Sequence, residues 1–157
     1  MKDIHPLKRK SIKPSSSTVR GMLPGPQFRA LDAAMQSMRS AGLRLEWNWK
    51  SKDIGWVCSG LVESQTVCEL RPTDEPLLGV VEMTHEFKSV VIASRAFPKK
   101  FKAILENPMA ELKKTVRYEF PLETTDMRDM MSEFVEGLVP FYEADQAAQA
   151  TTVQAAL

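Results

Sequence analysis

Histidine and cysteine are scarce in this chain, two of each among 157 residues. Cys58 and Cys68 are too few for a disulfide framework and stand at no zinc-binding spacing. With only His5 and His85 to offer imidazole, a hydrolytic metal centre would have to be assembled almost wholly from carboxylates. No stretch of about eighteen apolar residues occurs, which argues against a spanning helix. The amino-terminal residues lack the apolar run of a secretory signal. Glycine-rich phosphate cradles, a Walker pattern and RNA-reading aromatic signatures are missing as well. These absences lead to the expectation of a cytoplasmic protein with no membrane segment, no metal, no cofactor and no catalytic set.

What is present is architecture. Leu43-Arg44-Leu45-Glu46-Trp47-Asn48-Trp49-Lys50 alternates strictly between apolar and polar. That sends Leu43, Leu45, Trp47 and Trp49 to one face of a strand and the four polar residues to the other. A sheet with one packed face and one wet face follows. Upstream, Phe28, Leu31, Met35 and Met38 recur at three- and four-residue steps and predict a helix over Pro26 to Ala41, with Gly42 just past its end. Further strands are expected at Ile54 to Leu61, Gln65 to Arg71, Leu77 to Met83 and Phe87 to Ala93. Their short spacing requires antiparallel pairing.

A second helix is expected from Pro98 to Glu106, then a strand from Val116 to Leu122. A last helix carries Met127, Met130, Met131, Phe134, Leu138 and Phe141 as one stripe. Pro140 is expected to kink or stop it within a turn. The fold class is therefore α+β: an antiparallel sheet of five to six strands and three helices, in the order α-β-β-β-β-(β)-α-β-α, with the helices mainly on one face. Composition divides the chain into a disordered basic arm over 1–25, a single domain over 26–145 and a frayed tail over 146–157. The charge is also divided. Residues 1–24 carry six cations against Asp3, while residues 117–157 carry two cations against eight carboxylates.

Several groups are candidates for function, and each has a structural alternative. Cys58 and Cys68 fall opposite one another if a hairpin turns at 62–64, which allows a redox pair; two small buried hydrophobes are the simpler reading. His85 with Glu82 and Glu86 forms part of an acid/base or metal cluster, or a solvated turn. Asp74 and Glu75 lie in a loop, and Asp126 and Asp129 complement a helix dipole. Lys88, Arg95, Lys99, Lys100 and Lys102, joined by Lys113 and Lys114, make a basic patch. With the arm, that patch could attract phosphate-rich partners. Trp47, Trp49 and Trp56, with Met127 and Met131, are either core or an adaptable apolar interaction surface.

Val116-Arg117-Tyr118-Glu119-Phe120-Pro121-Leu122, followed by Thr124 to Tyr142, resembles the closing strand and helix of bacterial type III secretion-chaperone-like domains. By element order the resemblance runs from about Phe28 to Glu143. It implies a dimeric protein-binding module that uses sheet and helix surfaces. Gly55-Trp56 followed by Cys68-x-Leu70-x-Pro72 is similar to an uncharacterised bacterial domain family, which transfers no site. The leading expectation is a non-enzymatic interaction module that binds another protein or itself. One alternative is a nucleic-acid binder using the arm and the basic second helix. Another is a small-ligand domain with a pocket between sheet and helices.

Overall fold

The computed structural model describes residues 5–15, 17–74 and 76–156. Lys2 and Asp3 of the basic arm, Glu75 of the loop carboxylate pair and Leu157 lie outside them. The elements are α1 (Gly25–Ser40), β1 (Arg44–Ser51), β2 (Gly55–Val62), β3 (Gln65–Arg71), β4 (Leu78–Thr84), α2 (His85–Ala93), α3 (Lys102–Glu106), β5 (Ala110–Glu111), β6 (Thr115–Pro121) and α4 (Thr125–Ala156). The strands form one antiparallel sheet in the order β1-β2-β3-β4-β6-β5. The fold is α+β, as the sequence implied, with four α-helices among the described residues in place of three. No described helix is long and apolar enough to cross a membrane.

The helices share one face of the sheet. Met38 of α1 lies over Gly60, and Met131 of α4 lies so close over Gly79 that a β-carbon there would strike its sulfur. Phe87 of α2 packs on Tyr142 with ring centroids 4.2 Å apart. The Tyr118 hydroxyl donates to the Leu105 carbonyl of α3 (2.7 Å). The core centres on Phe134, whose ring lies 5.4–6.0 Å from Phe97, Phe101, Tyr118 and Phe120.

Phe87–Ala93, expected as a fifth strand, is helix α2. The β-branched run Val90-Val91-Ile92 favours a strand, but the local signals favour a helix start. Thr84 Oγ1 accepts from Phe87 N (3.1 Å) as an N-cap, and Glu86 occupies the first turn. Helix α4 also differs from expectation. It continues as one helix through Pro140 to Ala156, so the backbone of 146–156 is helical. Leu138, Val139 and Tyr142 on either side of the proline are buried, and that packing favours helix on both sides of it.

The described part of the expected disordered arm is folded onto the domain. Leu7, Val19 and Leu23 are buried, within or beside short 3-10 turns at Pro6–Lys8 and Val19–Met22. The indole N–H of Trp56 donates to the Arg9 carbonyl (2.9 Å). A few anchors, each with a prepared place in the core, offset the ordering entropy that the average composition could not.

Candidate functional site

The proposed tryptophan and methionine surface is core. Trp47 and Trp56 are each 8% exposed, and Met131 is buried. Trp49 is half-buried and meets Trp56 edge-to-face at 5.8 Å. Met127, also half-buried, borders one open groove, and Trp49 borders a hollow of about 480 Å³ beside Glu69. The reason is the arm. It supplies Leu7 and the Arg9 carbonyl to the end of the sheet that composition alone left bare.

Cys58 and Cys68 are buried free thiols. They do not oppose one another: Cys58 pairs with Leu70, and Gly60 pairs with Cys68. Between Gly60 and Leu61 the partner strand advances two residues, so Val67 is the extra residue of a β-bulge. The bulge puts Cys68 and Leu70 on the helix side and leaves Glu69 on the open side. Burial pushes the Cys58 thiol up to about 12, against a smaller lowering by Arg39. Burial also raises Cys68, helped by Cys58 and Glu69. Both are therefore protonated at neutral pH and unsuited to attack.

His85 is not part of a reacting cluster. Its Nε2 donates to the Leu112 carbonyl (2.9 Å), fastening α2 to the β5–β6 turn. Glu82 accepts from Thr115 Oγ1 (2.6 Å), and Glu86 is exposed. Asp126 and Asp129 are solvated at the start of α4. Among the described residues, no three His, Cys, Asp or Glu side chains are grouped to hold a metal ion. In the basic patch Arg95, Lys99 and Lys100 are exposed, while Lys88 and Lys102 are half-buried. Lys100 is already engaged, with Nζ 3.2 Å from Glu133 and 4.9 Å above the Phe101 ring.

On the open face of the sheet, Glu69 is almost buried beneath its partners. Arg71 approaches one carboxylate oxygen at 2.7 and 2.8 Å, and Lys50 the other at 3.3 Å. Asn48 donates to Ser59 Oγ (3.1 Å) beside them. On the opposite side the layers are closely packed. The void between α1, α4 and Leu70 is about 10 Å³, too small for a small-molecule ligand.

The larger hollows flank α4. One, of about 530 Å³, lies between α4 and the loop leading to α3, with Pro98, Phe101, Gly137, Pro140 and Phe141 in its walls. A second, of about 680 Å³, lies between α4 and α2, with Phe87, Val90, Phe141, Tyr142 and Gln65 among its walls. The two share Phe141 and Ala144, so they meet as one trough. A third groove of about 500 Å³ opens beside β6 with Ile104, Met109, Met127 and Met130. Val90 is 61% and Met109 66% exposed.

The chain matches no family model, no curated protein and no solved structure. The trough must therefore be read from its own chemistry. Sequence reasoning missed it because one wall is α2, which β-branched residues disguise as a strand. The Thr84 cap and the Phe87/Val91 spacing were the available signals.

Proposed function

We propose that this chain is a non-enzymatic protein-interaction module whose working surface is the helical layer beside α4. The observation that carries the reading is the set of three apolar grooves along that helix. Large side chains that could have been packed, Val90, Met109 and Met130 above all, stand open to solvent there. Grooves of this kind hold an amphipathic helix or an extended segment by its apolar side chains. Methionine walls adapt to such a guest. The resemblance of β6 and α4 to secretion-chaperone-like domains points the same way, and the partner is another protein or a second copy.

The test is photo-crosslinking in cells, with the probe at Val90, at Met130 or at Arg44 on the open sheet face. The expected result is discrete protein adducts from the first two positions and none from the third. Adducts absent from both groove positions, or equal at all three, would overturn the reading.

A further inference from the structure

The trough shared by α2, α4 and the loop before α3 has a charged rim. Glu133 and Glu136 border one hollow, and Glu82, Glu86 and Asp145 border the other. The lone cation among the lining residues, Lys100, is spoken for by Glu133. The border of the apolar floor is therefore acidic, five carboxylates to one cation, with Lys88, Arg95 and Lys99 on the same elements but outside the lining. Two acceptors add to it. Pro140 has no N–H, so the Glu136 carbonyl lacks the donor that a helix normally supplies four residues on. Gln65 is held by its amide nitrogen, which donates to Asp145 Oδ2 (2.9 Å). A carboxylate accepts only, so that assignment is forced. It leaves Gln65 Oε1 buried without a partner.

We propose that this trough binds a basic amphipathic segment of a partner protein. The proposal rests on the interaction-module reading and adds to it the chemistry of the guest. Apolar anchors of the segment lie against Pro98, Phe101, Pro140 and Phe141 in one hollow and against Phe87 and Val90 in the other. Its lysines and arginines, which only donate, meet the exposed carboxylates of Glu86 and Glu136 and the half-buried one of Asp145. From Glu133 to Gln149 the trough follows α4 for about 24 Å, room for some four turns of helix. A nucleic-acid backbone would bring negative charge to a negative rim. The acidic border thus distinguishes a cationic peptide from that alternative.

The experiment uses the full chain and two fluorescent helical peptides of about 18 residues. Both carry the same leucine face, with lysines opposite in one and glutamates in the other. The lysine peptide should bind on the order of tenfold more tightly at low salt, and the preference should shrink as salt rises. In the double variant Glu86→Lys/Glu136→Lys, both positions being exposed, the preference should reverse. Circular dichroism on that variant should show that it folds. Equal binding of the two peptides, no binding of either, or a preference unmoved by the charge reversal overturns the proposal. So does a dimer in light scattering that the double variant dissolves, because the occupant is then a second copy. Crosslinks from Val90 and Met130 would survive each of these failures, which separates this inference from the reading beneath it.

Discussion

Cys58, Cys68, Tyr118 and Tyr142 all keep their protons in the folded chain well above their ordinary range, and burial is the first cause in each case. Unfolding exposes the groups, and above about pH 9 the unfolded chain releases thiol protons that the folded chain retains. The unfolded state then binds fewer protons, so stability falls with rising pH. It is complete below about pH 9 and declines toward 12, at most about 1.4 kcal/mol per pH unit for each proton. Urea unfolding measured from pH 7 to 10.5 should show this. Cys58→Ala should flatten the decline without abolishing it, since Tyr118, raised to about 12, acts in the same direction. A slope unchanged in the variant would place the titration elsewhere.

Beside the Trp56–Arg9 hydrogen bond, the arm approaches strand β2 at one point that only glycine allows. Gly55 sits at φ +83, and a β-carbon there would strike the Leu7 carbonyl. Gly55→Ala should cost more than about 1 kcal/mol and should expose residues 5–24 to hydrogen exchange and protease. Gly42 is the control. Its φ is +95 but the space around it is open, so Gly42→Ala should carry backbone strain yet leave the arm protected. Equal loss of arm protection in both variants would refute the contact's role. Here the limits of sequence reading have a physical form. The hydrophobic periods of α1, β1, β6 and α4 were legible because each element repeats its own signal. The arm was not, because its anchors are isolated residues, and its first contacts, Leu7 with Gly55 and Arg9 with Trp56, span some fifty positions. Helix α2 was obscured by a conflict between β-branched propensity and a one-residue cap, which the cap won.

Phe134 ties α4 to β6 and to the segment before α3 within one continuous core, so the domain should unfold as one unit. Phe134→Ala removes a ring that touches four other aromatic rings. It should destabilise the protein by about 3–5 kcal/mol, a large part of a typical domain's stability. Trp47, Trp49 and Trp56 report the β1–β2 end, while far-UV circular dichroism reports mainly the helices. Both transitions should shift together to lower urea. A tryptophan transition that stays in place while the helices melt early would mean that the two ends fold independently.

The local pattern of residues was enough to establish the α+β class, the antiparallel pairing and the apolar and polar faces of β1, because periodicity is a property of neighbouring positions. It put Trp47 and Trp49 on one face of β1 but left open whether that face was core or interaction surface. The candidate site depended on tertiary structure throughout. Glu86, Glu136, Gln65 and Phe141 come from α2, α4 and β3. Only packing brings together residues so far apart in the chain. Likewise the β-bulge at Val67, which turns Glu69 outward and Cys68 inward, depends on how one strand registers against another.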